Sequence, residues 1–162
     1  MRKLLLIVML IFVFGPLDAQ AGDPADGYAI VRSDTIYGKI KINFDTGSIM
    51  IQQDSVNRMF LSGIELVRIN NEDRETYLPI SSENRTVFYK VLVHGETPLL
   101  QAREIFFTHV NGEVTPITEE KDLYNFFDKR AVKDYIFIRN IQISEENGMK
   151  DVFSYFNRNE SF

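Results

Sequence analysis

Thr35-Ile36-Tyr37-Gly38-Lys39-Ile40-Lys41-Ile42-Asn43-Phe44 alternates from end to end: Ile36, Gly38, Ile40, Ile42 and Phe44 are small or apolar, and Tyr37, Lys39, Lys41 and Asn43 fall between them. Period two is the signature of a strand with one face on a core and one in water. Working outward, Tyr28-Ala29-Ile30-Val31 reads as a first strand, joined to this one by a tight hairpin connection at Ser33-Asp34. Asp45-Thr46-Gly47-Ser48 then turns the chain into Ile49-Met50-Ile51-Gln52, with Gly47 supplying the positive φ such a loop needs.

The same texture continues to about Ile117. Further strands are expected at Ile64–Ile69, Thr76–Ile80, Val87–Val93, Leu99–Phe107 and Val114–Ile117, separated by Asn70-Asn71, Ser81 to Arg85, His94-Gly95 and Asn111-Gly112. Seven to nine short strands at this spacing predict a meandering antiparallel sheet, curled into a barrel-like or sandwich-like body. Beyond Ile117 the period lengthens. Thr118 is positioned to cap a helix, Glu119 and Glu120 suit its positive end, and Leu123, Phe126 and Phe127 recur at helical spacing. Ala131, Val132, Tyr135 and Ile136 mark a second helical face, and Met149, Val152, Phe153 and Phe156, after a cap at Ser144, a third. The expected class is therefore α+β: a β-rich body over residues 22–117 and two or three short helices over 118–162, packed on the same domain.

Residues 1–21 read differently from all of this. Arg2-Lys3, an eleven-residue apolar run from Leu4 to Phe14, the breaker Gly15-Pro16 and the small-residue site Ala19-Gln20-Ala21 follow the order of a cleaved export signal. The run is little more than half the roughly 20 residues needed to span a bilayer, so no stable transmembrane anchor is expected after cleavage. Without these residues the chain carries 16 basic and 22 acidic side chains, a formal charge of −6. Such a balance argues against a nucleic-acid partner, which calls for a clustered basic surface.

The chain contains no cysteine. Disulfides, thiolate zinc sites and a lipid-modified cysteine after the signal are thereby excluded together. Export without disulfides points to a bacterial envelope, in the periplasm or at the cell surface.

Gly27-Tyr28-Ala29-Ile30-Val31, then Ser33-Asp34-Thr35-Ile36-Tyr37-Gly38-Lys39-Ile40, is similar to the opening of a group of uncharacterised secreted proteins of Bacteroidota. In those proteins a first strand passes through a glycine-aspartate-threonine turn into a strand with glycine and lysine near its middle; Ser33 stands where the group usually has the turn glycine. Ala131 to Ile136 and a tail ending in Tyr155-Phe156-Asn157 resemble their helical ends. The resemblance implies an envelope-associated protein with a β-rich body. It brings no activity, cofactor or site residue to carry over.

Asp45-Thr46-Gly47-Ser48, preceded by Ile42-Asn43-Phe44, resembles the signature around the catalytic aspartate of aspartic peptidases. That chemistry needs two carboxylates sharing a proton, because like charges about 3 Å apart cannot both ionise. With one copy in the chain, the dyad would have to form from Asp45 of two subunits. The alternative is a plain hairpin turn, in which Asp45 bonds its own backbone.

Other catalytic patterns are missing. His94 and His109 have no ligand spacing even with Glu96 or Glu104 nearby, the Asp54, Asn57, Asn70-Asn71-Glu72-Asp73 region matches no calcium loop, and Ser62-Gly63 lacks the glycine of a nucleophile elbow. No metal or cofactor is expected.

Phenylalanine and tyrosine make up 12% of the chain, and tryptophan is absent, so aromatic rings must supply much of the core. Phe106 and Phe107 are adjacent in a strand and so face opposite ways; one of them belongs to an interaction surface unless something covers it. The functional expectation is an exported, non-catalytic binding or structural module whose partner is an envelope protein or glycan, with a homodimeric peptidase using Asp45 as the alternative.

Overall fold

A computed structural model describes residues 23–82 and 85–159; the export signal expected at 1–21 lies outside them. Ten strands form one antiparallel sheet: β1 (Ala25–Val31), β2 (Asp34–Asn43), β3 (Ser48–Gln53), β4 (Val56–Phe60), β5 (Ile64–Ile69), β6 (Thr76–Ser82), β7 (Arg85–Val93), β8 (Leu99–Ala102), β9 (Ile105–Val110) and β10 (Glu113–Ile117). A 3-10 helix (Glu120–Asn125) and two α-helices, α1 (Lys129–Arg139) and α2 (Glu146–Asn159), follow. The α+β class and the order of strands before helices are those read from the sequence. Among the described residues no helix is long and apolar enough to cross a membrane.

The strand count exceeds the expected range for two reasons. β4 is an extra edge strand, and the segment Leu99–Phe107 is two strands, broken where Arg103 takes φ 57°. Three of the hairpins close through two residues that both have positive φ: Arg32-Ser33, Asp54-Ser55 and Asn111-Gly112. This turn matches the right-handed twist of the flanking strands.

Strand order is β10-β9-β8-β7-β6-β5-β1-β2-β3-β4, and the sheet curls without closing. Its weakest seam lies between β5 and β6, paired only through Val67–Tyr77 and Arg68–Thr76. Beyond those pairs β6 has no β5 neighbour, which is why Pro79, lacking an N–H, is tolerated in a strand that counts as central. Two glycines, Gly27 and Gly38, face each other across β1 and β2. A Cβ on Gly27 would lie 2.1 Å from the Arg68 carbonyl oxygen, so β1 and β5 approach here as only glycine permits.

One face of the sheet carries both apolar cores. Ala29, Val31, Ile40, Ile42, Ile49, Ile51, Val67 and Phe88 form the first. Leu99, Phe106 and Ile117 form the second with Leu123, Phe127, Val132 and the α2 stripe Met149, Val152, Phe153 and Phe156. Phe127 stacks on Phe156 at 4.9 Å and meets Phe153 edge to face at 5.2 Å. The third helical stripe is thus wholly buried as its spacing predicts, whereas Ala131 of the second faces solvent and only Val132 of that set is fully buried.

The helix starts differ slightly from those expected. Glu119, not Thr118, caps the 3-10 helix; the Thr118 N–H and hydroxyl both donate to the Asp122 carboxylate, at 2.9 and 3.1 Å. Asp128 caps α1 by accepting from the Ala131 N–H at 2.8 Å. At α2 the Glu145 carbonyl accepts from the Met149 N–H, so the helix begins one residue later than a cap at Ser144 would place it.

Candidate functional site

The register of the sheet lays out one continuous row of residues on the core face: Ile36, Ala29, Val67, Tyr77, Lys90, Gln101, Phe106 and Ile117. The row is apolar at both ends and polar in the middle. Tyr77, Lys90 and Gln101 fall between the two cores, where no helix lies over them, and they line a cleft of about 560 Å³. Phe44, Asp45, Arg85, Phe88, Tyr89, Arg103 and Phe107 complete most of its wall.

Its far side comes from the β2–β3 turn, which crosses the β5–β6 seam. Asn43 Oδ1 accepts from the N–H groups of Asp45 and Thr46, at 3.1 and 3.0 Å, and the Gly47 N–H donates to the Asn43 carbonyl at 3.0 Å. Gly47 takes φ 66°, as expected, and presses on β7 so closely that a Cβ would lie 2.2 Å from the Thr86 carbonyl oxygen. The turn in turn carries Phe44 onto Tyr77 and Phe88, at ring distances of 5.7 and 6.4 Å.

β8 stops pairing with β7 at Gln101–Lys90, which leaves Arg85 to Tyr89 without a strand on that side and opens the cleft. Tyr89 and Phe107 alternate to the other side of their strands, meet edge to face at 5.1 Å, and line the same opening. Phe106 points the opposite way into the helical core, so the adjacent pair divides between core and cleft.

The polar floor is held by a carboxylate just behind it. Glu75 accepts from Lys90 Nζ at 2.6 Å, from Asn71 Nδ2 at 2.9 Å and from the Tyr77 hydroxyl at 3.1 Å. Burial acts to raise the Glu75 pKa, but the hydrogen bonds from Lys90, Asn71 and Tyr77 and the Lys90 charge outweigh it and hold the carboxyl below its ordinary value. Burial first, and then the Glu75 charge, push the Tyr77 phenol well above its ordinary value, so it stays a hydrogen-bond donor. Arg85 and Arg103, exposed at the rim, are in no ion pair among the described residues. Lys90 is neutralised by Glu75, so the cleft offers two guanidinium groups against the single Asp45 carboxylate.

Asp45, the residue singled out by the peptidase-like motif, lies exposed on this turn at the cleft wall. Its backbone is capped by Asn43 and not by its own side chain. His94 lies in the β7–β8 loop and His109 in β9. Among the described residues no three His, Asp or Glu side chains gather as a metal site would require. The cleft's floor has no sequence signature, because Tyr77, Lys90 and Gln101 come from three strands and meet only through register.

Fold and site together define an α+β domain with an aromatic, arginine-rimmed cleft on the core face of an open sheet. Compared with models of known protein families, with curated protein sequences and with solved structures, the chain matches none.

Proposed function

We propose that the chain is an exported, non-catalytic binding module of a bacterial envelope, and that its cleft holds a glycan bearing acidic groups. The observation that carries this reading is the polar gap in an otherwise apolar row. Tyr77, Lys90 and Gln101 are left open between two cores, with Phe44 and Phe107 beside them and Arg85 and Arg103 at the rim. Aromatic rings offer flat apolar faces to the C–H side of a sugar, amide and phenol groups satisfy hydroxyls, and guanidinium groups pair bidentately with carboxylates. The signal-like residues 1–21, the lack of cysteine and the resemblance of both chain ends to Bacteroidota secreted proteins support the envelope setting.

Binding to immobilised acidic and neutral glycans tests it. Retention of acidic glycans, weakened about tenfold by Arg85→Ala with Arg103→Ala, is the expected result. No retention of any glycan, or retention indifferent to both arginines, overturns it. Mass spectrometry of the protein recovered from cells tests the export step, with Gly22 as the expected first residue.

The peptidase alternative rests on Asp45 lining the same cleft. It requires a dimer and acid-dependent cleavage of a peptide library that Asp45→Asn abolishes.

A further inference from the structure

Helix α1 carries a second surface, remote in composition from the rest of this acidic chain. Phe137 is 87% exposed and Ile138 77%, side by side on the face turned away from the core residue Val132. Single exposed apolar side chains are ordinary, but two neighbours this open on a helix are an apolar patch with no cover.

Within the helix the charges are all but one positive; outside it Asp128 caps its start and Asp151 bonds Tyr135. Lys129, Arg130, Lys133 and Arg139 share the helix with Asp134 alone, in a chain of net charge −5. Helical spacing puts Lys133 one turn before Phe137 and Arg130 two turns before it, on the same outward face. Arg130 lies 3.9 Å from Asp134 with both side chains in water, a pairing too weak to cancel it. Three of the cations also lie over rings: Lys129 and Lys133 over Tyr124, at 5.6 and 5.9 Å, and Arg139 over Tyr135 at 5.5 Å.

The geometry points to α1 as a docking helix for a membrane leaflet rich in anionic phospholipid, with Phe137 and Ile138 entering the headgroup boundary and Arg130 and Lys133 on lipid phosphates. Large apolar side chains flanked by lysine and arginine are the make-up of helices that lie in a bilayer interface. Each basic group near an anionic leaflet adds attraction within a Debye length. Such contact is reversible and leaves the cleft, on another part of the molecule, open to its own ligand. Docking through α1 does not depend on what the cleft binds.

The absence of native cysteine makes the test clean. An environment-sensitive dye is attached to Ile138→Cys, and in a separate sample to Asp54→Cys in the exposed turn between β3 and β4. Vesicles of phosphatidylcholine with phosphatidylglycerol should blue-shift the dye at 138 but not at 54. The shift should vanish at about 1 M salt, where the screening length falls to roughly 3 Å. Arg130→Glu with Lys133→Glu, both on exposed positions, should weaken vesicle binding about tenfold or more while the circular dichroism is unchanged. No shift at 138, an equal shift at 54, or an equal shift on phosphatidylcholine alone overturns the proposal. So does a concentration-dependent shift without vesicles accompanied by a dimer in light scattering, which would mean that a second copy covers the patch.

Discussion

Glu75 shows how much of the site rests on one side chain. Its carboxylate orders Lys90 and Tyr77 on the cleft floor and also draws Asn71 in from the β5–β6 loop. Because its folded pKa is depressed, its contribution is present above the unfolded pKa and lost as pH falls through the lower folded value. Urea midpoints measured from neutral pH down into the acid range should fall more steeply for the native chain than for Glu75→Gln. At neutral pH the variant should be less stable. A second residue-scale prediction concerns Ser55, which takes φ 69° in a two-residue turn that glycine favours. Ser55→Gly should raise stability by about 0.5–1 kcal/mol, read as a higher denaturant midpoint with an unchanged slope. Gly27→Ala should do the reverse, costing about 2–3 kcal/mol, since the added methyl meets the Arg68 carbonyl and not a yielding side chain.

Among elements, those with a buried stripe were legible and those without one were not. The α2 pattern is explicit because Met149, Val152, Phe153 and Phe156 all face one core, and β2 is explicit because Ile36, Ile40 and Ile42 fall on one parity and face the other. β4 shows no alternation because it is an edge strand in which only Phe60 is even partly covered. The β8–β9 break has no local signal because Arg103-Glu104 has neither glycine, asparagine nor proline, although Arg103 takes positive φ.

The β7–β8 loop is held by α2, through a contact no local pattern could reveal. Asn157 accepts from the Thr97 N–H at 3.1 Å and donates to the Thr97 carbonyl at 2.8 Å, 60 residues away in the chain. Asn157→Ala should cost about 1–3 kcal/mol, with hydrogen exchange speeding up first at residues 94–98.

At the scale of the whole molecule, the helices serve as a lid on half of one sheet face. Removing residues 118–162 would strip Leu99, Phe106 and Ile117 of their partners, and the remaining sheet should be recovered aggregated, with dye binding that reports exposed apolar surface. The α+β class was readable because period two gives way to helical spacing at one point in the chain. The cleft was not, since it is a gap between cores, defined by where the helices end and where β5 and β6 part. Residues such as Phe44, expected on the core parity of β2, do double duty there: the ring stays half in water and bridges the two halves of the sheet.

An open sheet has two ends, and here they are unlike. β10 contains Pro116, which withholds a donor, while β4 ends the other side with Val56 and Met59 exposed and no proline. Strand addition is therefore less hindered at the β4 end than at the β10 end. Two molecules joined β4 to β4 would present a proline-bearing strand at each extremity, so such an assembly favours a pair over a filament.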